Sequence, residues 1–333
     1  MADDTLTLYD FHKSKNPDGS AAQIVEILAQ ENPAIQDAPS FPSNAELGHR
    51  VTIQRNLPTV ATAKINKGIA RSKGTTEQLV DAIGYWAARS EVDPRIRKLQ
   101  GDSAYMSRRL AEDRMFAESM SQAVCQALFY GNHTTDESSF DGLAPRMNTL
   151  NSTSFIDPFV LSMGSVTGSD GCSIFVVDWG KDACHLVYPQ KYAGSAGLVI
   201  EDLPDRDGQD VDGANMRVDV TEYHWYCGLS VEDRRHMGRL ANIDLSDALL
   251  ASPTQGWLLD ELEKVLSYMP SPGSATRVMY GPTLLEPGWR KQARSRSNQA
   301  LTIQDYLNKQ TVHVWGVPFR PVRQLSVAEA TVS

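Results

Sequence analysis

The sequence predicts an α+β protein with one unusually long helix. The stretch 102–130 contains neither glycine nor proline and consists mainly of good helix formers. Runs rich in β-branched and aromatic residues, 173–179 (SIFVVDW) and 184–189 (CHLVYP), predict strands that follow it, joined as a hairpin. Because helices and strands do not alternate evenly along the chain, we favour an α+β fold over a doubly wound parallel sheet.

The long helix is expected to extend for roughly 40 Å, far more than an average globular helix. We expect it to end at Gly131 and Asn132, where a left-handed residue would stop it. Asp113 and Arg114 occupy the turn at which its apolar stripe should continue. The residues of that stripe are Met106, Leu110, Ala117, Met120, Val124 and Leu128.

Two segments precede the long helix. Residues 1–47 have one short helical candidate, 20–31, and too little apolar area to fold alone, so we expect a partner surface to hold them. The runs 49–56 and 59–66 predict a two-stranded ribbon. After it, Thr75 and Gln78 fit a capping box for a helix that buries Leu79, Ile83 and Trp86.

The elements after position 200 are mixed. An acidic loop is expected to lead into a strand over 215–229, with a bulge at Thr221 and Glu222, where the apolar parity switches. A capping box at Ser252 and Gln255 predicts a helix that ends near Met269. The remaining predictions are a strand at 276–280, a basic helix at 285–296 and extended segments at 311–315 and 319–322.

Charge is segregated along this acidic chain of 333 residues, whose net charge is −9. Between Glu46 and Glu77 every charge is positive, whereas acidic residues dominate between Glu201 and Glu222. One copy's basic segment could therefore meet another's acidic segment, although two solvated loops are an equally simple reading. The basic residues of the first segment are Arg50, Arg55, Lys64, Lys67, Arg71 and Lys73.

Residues 50–73 also permit an alternative function, nucleic-acid binding through phosphate contacts. No aromatic residue lies within this segment, so base stacking is not offered. The acidic net charge further disfavours non-specific binding. We therefore prefer contact with protein.

The chain carries none of the sequence motifs of phosphate-binding loops, dinucleotide folds, nucleophile elbows or zinc proteases. Two pairs of potential metal ligands, His224 with Cys227 and Cys184 with His185, are three and one positions apart on predicted strands. Strand residues at odd spacings face opposite sides, so neither pair can easily chelate one ion. We predict no catalytic residues, cofactor or metal, and four reduced, buried cysteines. An unfamiliar metalloenzyme using Asp207, Asp210 and His224 remains a distant third hypothesis. No membrane span or secretory signal is expected.

An ordered series of segments resembles one protein family along nearly the whole chain. The segments include NPDGSAAQIVEILAQENPAIQDAP, GHRVTIQRNLPTV, FYGN, FDGLAPR, GSDGCSIFVVDWG and YHWYCGLSVEDRRHMGRLANID. In this order they resemble the major capsid proteins of short-tailed bacteriophages, in particular the group of phage epsilon-fifteen and the Bordetella tropism-switching phage.

The resemblance implies the Hong Kong 97-type capsid fold, with five parts in this chain. They are an N-terminal arm (1–47), an extended loop or β-ribbon (48–74), a peripheral domain (75–230) with a spine helix (102–130), an axial domain (231–310), and a closing strand and tail of the peripheral domain (311–333).

The resemblance also implies a structural protein, not an enzyme, that forms pentamers and hexamers of an icosahedral shell around double-stranded DNA. Its implied partners are copies of itself, a cement protein, a portal at one vertex and packaged DNA on the inner face. The implied location is the virion, after assembly in the bacterial cytoplasm. Besides the six basic residues, we expect Asp113 and Arg114 to face neighbouring subunits.

Overall fold

The computed structural model describes residues 32–45, 48–95, 102–152, 156–164, 171–209, 215–245, 256–293, 301–306 and 309–333. The chain divides into two compact units. The first comprises 1–31, 85–124 and 191–226, and the second comprises 32–84, 125–190 and 227–333. The helix predicted at 20–31, most of the predicted arm, and the capping box at Ser252 and Gln255 lie outside the described residues.

The described elements are five α-helices and fourteen strands. The helices are α1 Pro33–Asp37, α2 Asp102–Tyr130, α3 Leu143–Arg146, α4 Gly256–Tyr268 and α5 Leu285–Ala293. The strands are β1 Ser40–Pro42, β2 Gly48–Asn56, β3 Thr75–Ala82, β4 Gly84–Val92, β5 Phe159–Ser162, β6 Gly171–Trp179, β7 Cys184–Tyr188, β8 Leu198–Gln209, β9 Asn215–Val231, β10 Met237–Asp244, β11 Thr276–Pro282, β12 Leu301–Tyr306, β13 Lys309–Val314 and β14 Val317–Val322. Among the described residues, no helix is long and apolar enough to cross a membrane.

Strand β6 is the centre of the second unit, and all nine of its residues are buried. It pairs antiparallel with β10 on one side and with β11 on the other. Beyond β11 the order is β14, β13 and β12, and beyond β10 lies β5. A strand that is covered on both faces has apolar residues at successive positions and not at alternate ones. This explains the nearly continuous apolar run CSIFVVDW.

Different elements cover the two faces of β6. Ile174 and Val176 belong to a core that also contains Leu262 of α4 and Trp289 of α5. On the other face, the ring of Phe129, at the end of α2, lies 5.5 Å from the ring of Phe175. The side chains of the SIFVVDW strand therefore pack against helices on both faces of the sheet.

The first unit contains the larger part of α2 and a sheet in which β8 and β9 are antiparallel, from Leu198 opposite Trp225 to Gln209 opposite Asn215. Strand β4 lies next to β9. The predicted acidic loop is thus mostly strand β8, because its residues find backbone partners in β9. The register shift lies between Leu203 and Arg206 on β8, and not at Thr221 and Glu222 as predicted.

The helix predicted from Thr75 to Trp86 is wrong, since this segment forms β3 and the start of β4. Thr75 lies opposite Asn56 and Gln78 opposite Thr52, so β3, and not 59–66, is the second strand of the ribbon. The capping-box pattern and the i, i+4 spacing fit a helix locally. Pairing with β2 overrides that preference, which is weak in this threonine- and valine-containing segment.

Strands β6 and β7 exist as predicted, but they do not form a hairpin. They meet at one pair, Trp179 opposite Cys184, in the parallel sense. Strand β7 pairs instead with the end of β9 and, in parallel, with β1. The prediction of α2 is confirmed with its bounds, and those of β11, α5, β13 and β14 are confirmed in type, with ends shifted by a few residues.

Helix α2 ends at Tyr130 as predicted, but the reason for the glycine differs. Neither Gly131 nor Asn132 adopts a positive φ. A Cβ at Gly131 would lie 2.6 Å from both the Ala127 and Phe140 carbonyl oxygens, and the Gly142 amide donates to the Gly131 carbonyl at 2.8 Å. Glycine is required here because two backbone segments approach closely.

The C-terminal tail is tied to the second unit by a buried ion pair. Arg239 Nη2 lies 2.9 Å from Glu329 Oε2, and both side chains are less than one-tenth exposed. The same guanidinium donates to the Met147 carbonyl at 2.8 Å and lies 5.1 Å from the Phe175 ring centroid. Ser173 and Tyr130 donate hydrogen bonds to the Glu329 carboxylate.

We predict that Arg239→Met lowers the free energy of unfolding by about 3–5 kcal/mol, because the Glu329 carboxylate would stay buried without its cation. Urea denaturation of the purified subunit measures the loss. Lys264→Met is the control, since Lys264 pairs with Glu261 at the exposed surface of α4 and should change stability by less than about 1 kcal/mol. Equal effects of the two substitutions would contradict the assignment.

Candidate intersubunit surface

The ribbon of β2 and β3, with the connecting residues 57–74, forms one exposed projection, here called the extended loop (48–82). The strands pair from Gly48 opposite Ala82 to Asn56 opposite Thr75. The connecting residues 57–74 contain no further strand. Every residue from 56 to 78 is exposed. A segment of this length with no buried residue gains no stability from a core of its own.

Apolar side chains of the extended loop are unusually exposed. The exposed fraction is 94% for Ile65 and 90% for Val60, and Leu57, Ile69 and Val80 are each more than 60% exposed. Burying one such side chain contributes about 1.5–3 kcal/mol. A concentration of exposed aliphatic residues is typical of protein–protein interaction sites.

The six predicted basic residues lie on this loop in two settings. The connecting segment 57–74 contains four of them, all exposed: Lys64, Lys67, Arg71 and Lys73. Arg50 is exposed on β2, whereas Arg55 is half-buried.

Arg55 has partners within its own chain. It forms an ion pair with Glu77, across the ribbon, and lies 3.6 Å from Asp157. The hydrogen bond from Arg55 lowers the pKa of the Glu77 carboxyl. Of the six basic residues, Arg55 therefore has a role in holding the ribbon together.

The root of the extended loop is anchored through Asp81. Its carboxylate accepts a hydrogen bond from Arg146 Nη2 at 2.8 Å and another from the Val231 amide at 3.2 Å. Arg146 also donates to the carbonyl oxygens of Leu229, at 3.1 Å, and Asp141, at 3.0 Å. Both charged side chains are largely buried. A fixed root explains how an exposed ribbon keeps a defined position on its unit.

In the first unit, the inner face of α2 is polar. The Tyr105 hydroxyl donates to Asp219 Oδ2 at 2.8 Å, and Arg109 Nη2 lies 2.6 Å from Asp202 Oδ1. The Tyr223 hydroxyl donates to Asp113, and the ring of Tyr223 stacks on Phe116 at 5.3 Å.

Two tyrosine pKa values reflect this packing. Burial, together with the hydrogen bond to Asp219, raises the pKa of Tyr105 to about 12. Burial and the bond to Asp113 also raise the pKa of Tyr223. The inner face therefore presents neutral hydroxyls to carboxylates over the physiological pH range.

The outer face of α2 carries half of the apolar stripe. Met106 and Leu110 are 60% and 55% exposed, and Arg114 and Ala117 follow them on the same face. Met120, Val124 and Leu128 are buried as predicted. In the first half of α2 the stripe is therefore not buried, and Tyr105, Arg109, Asp113 and Phe116 face the sheet instead.

The residues of the metalloenzyme hypothesis do not form a site. In the β8–β9 ladder Asp207 lies opposite Arg217, near one end, and His224 lies opposite Val199, near the other. Asp210 is outside the described residues. His224 Nδ1 instead lies 2.7 Å from the Tyr85 hydroxyl. None of the four cysteines forms a disulfide, and all four are buried, as predicted.

Comparison with known proteins agrees with these features. Residues 16–333 match the family described as major capsid protein GP7. The chain is similar to one in the cryo-EM structure of bacteriophage epsilon15, with 26% identity, coverage of 100% of this chain and 98% of that chain, and a TM-score of 0.75. A chain of the bacteriophage JBD30 capsid matches at 11% identity over 96% and 99% of the two chains, with a TM-score of 0.49. No curated protein matches.

An α+β subunit with a long helix, a projecting ribbon and this structural likeness defines a phage capsid protein of the Hong Kong 97-type fold. The chain belongs to the major capsid protein GP7 family. It is a structural component of the virion capsid, and it assembles with copies of itself into a shell. None of these comparisons supports the nucleic-acid-binding alternative.

We predict that Asp81→Asn loosens the extended loop without unfolding the unit. Losing one member of a buried ion pair costs about 3 kcal/mol, so amide exchange in β2 and β3 should accelerate by about 100-fold. Hydrogen-exchange mass spectrometry measures this, with the exposed Asp136→Asn as control. Equal acceleration in β6 would show that Asp81 stabilises the whole unit and not the root.

Proposed function

We propose that this capsid protein forms the pentamers and hexamers of an icosahedral shell around double-stranded DNA, and that its extended loop makes the contact between subunits. The observation that carries the proposal is the combination of exposed aliphatic residues and cations on a projection whose root is fixed. Exposed aliphatic area supplies affinity, and the charges supply orientation.

The acidic strand β8 is the proposed docking surface for the loop on a neighbouring copy. Glu201 and Asp207 are exposed on β8, and Lys64, Lys67, Arg71 and Lys73 are exposed on the loop. Opposite charges at an interface between identical subunits orient the partners and suppress wrong pairings. Arg50 has the same role at the edge of the contact.

The exposed face of α2 is a second proposed contact. Met106, Leu110 and Ala117 surround Arg114 on this face, so Arg114 is placed to meet a neighbouring subunit. Asp113 is engaged by Tyr223 within its own chain, so its proposed role is to set the orientation of this helix and not to touch a neighbour.

The remaining parts of the proposal follow from membership of the capsid family. We assign residues 1–47 as the arm, 231–310 as the axial domain and 311–333 as the closing strand and tail of the peripheral domain. The expected boundary between the extended loop (48–74) and the peripheral domain (75–230) moves to position 82 in this proposal, because β3 pairs with β2. The proposed partners are a cement protein outside, a portal at one vertex and packaged DNA inside. Assembly takes place in the bacterial cytoplasm.

Expression of the chain alone, followed by size-exclusion chromatography and electron microscopy, tests the proposal. We expect closed particles with five-fold and six-fold clusters of subunits. A species that stays monomeric under all assembly conditions contradicts it. Nuclease treatment before assembly separates the alternatives, because a contact between subunits does not require nucleic acid.

We predict that Lys64→Glu combined with Lys67→Glu abolishes or strongly reduces particle formation, because the loop would then repel the acidic β8 of its neighbour. The circular dichroism spectrum should stay unchanged, since both side chains are exposed. Lys181→Glu with Lys264→Glu makes the same charge change at other exposed positions and should assemble normally. Normal assembly of the loop variant would refute the role of the loop.

A second prediction concerns the helix face. Leu110→Asp should reduce assembly at least about tenfold, because burying an unpaired carboxylate against a neighbouring subunit is costly. Leu110→Met keeps an apolar side chain of similar volume and should assemble like the original. Light scattering during assembly gives both rates. If Leu110→Asp assembles at the original rate, this face is exposed in the shell.

A further inference from the structure

Three potential metal ligands meet at the root of the extended loop. His49 lies on β2, His185 on β7, and Glu232 directly follows β9. One ligand atom from each lies within 4.8 Å of the other two. His49 Nε2 and Glu232 Oε1 are 3.1 Å apart.

His185 is more deeply buried than His49. It is 3% exposed, and its Nδ1 atom is buried without a hydrogen-bond partner. An unpaired buried nitrogen costs free energy unless a partner is supplied. A neutral imidazole has one nitrogen that can bind a metal ion, and the cluster brings one such atom of His185 within reach of His49 and Glu232.

The surroundings hold the imidazole rings in place. Phe41 meets His185 edge-on at 5.1 Å, and His49 meets it edge-on at 5.7 Å. Asp81, which anchors the loop, adds a negative charge that acts on His185. Glu232 also lines an open cavity of about 360 Å³ beside β2, which gives an ion a route to its carboxylate.

We propose that His49, His185 and Glu232 form a site for a divalent transition metal ion, with Zn²⁺ as the best fit. Two imidazoles and one carboxylate are a ligand set that Zn²⁺ commonly accepts, with water in the fourth position. The bound ion would connect β2 to β7 and to the end of β9. It would thereby fix the extended loop to its unit independently of the Asp81–Arg146 pair.

Binding requires one proton to move. In the metal-free state His49 Nδ1 accepts the Asn44 amide at a long 3.4 Å, while Nε2 faces Glu232. An ion on Nε2 would shift the ring proton to Nδ1 and displace that weak contact. The carboxylate then balances part of the charge of the ion, and binding weakens as the pH falls because protons compete for the imidazoles.

The test uses the full-length protein after dialysis against a chelator. Isothermal titration with Zn²⁺ should show one ion per chain, and Co²⁺ should give the intense visible bands of tetrahedral coordination. Zn²⁺ in excess should raise the melting temperature by a few degrees. His185→Gln and Glu232→Gln should each weaken binding at least about tenfold, whereas exposed His133→Gln should not.

Three outcomes overturn the proposal. They are no Zn²⁺ uptake by the original protein, uptake that survives both site substitutions, and loss of uptake in His133→Gln. Circular dichroism shows whether each variant folds. If a site variant does not fold, the Co²⁺ spectrum of the original protein decides, because one tetrahedral ion per chain is expected and an octahedral spectrum contradicts the site.

Discussion

The constraint on which this subunit depends is that a two-stranded ribbon gains too little from its own side chains to hold a position in water. The buried pair of Asp81 and Arg146, reinforced by backbone groups of Leu229 and Val231, supplies what the ribbon lacks. Because the root is fixed, the connecting segment can leave its aliphatic residues exposed and still present them in a defined direction. The buried contacts and the exposed aliphatic residues therefore lie in different parts of one hairpin.

The first half of helix α2 follows a similar division, with polar residues on the face that packs against the sheet and apolar residues on the exposed face. Tyr105, Arg109 and Asp113 face the sheet of their own unit and form specific polar contacts, while Met106 and Leu110 are exposed. Directional bonds fix how the helix lies on its sheet. The apolar residues, whose attraction does not depend on direction, remain available to another molecule.

The ordered series of segments predicted the family, while helix-forming and β-branched composition predicted the α+β class, α2 and about half of the strands of the second unit. Strands β5, β10 and β12 were not predicted. Sequence patterns failed at Thr75–Ala82, where a capping box and a strand partner compete and only the partner's position decides. They also placed Met106 and Leu110 on one stripe with the buried Met120 and Val124, since periodicity identifies a stripe but not which part of it packs inward. His49 and His185 lie far apart in the chain, so no spacing could have paired them.

The four buried cysteines have a practical consequence for following assembly. Burial raises the pKa of both Cys125 and Cys227 to about 12, so these thiols are protonated and shielded from alkylating reagents. A cysteine introduced at Val60 would be the one exposed thiol of the chain. Its reactivity before and after assembly would report, subunit by subunit, how much of the loop each neighbour covers.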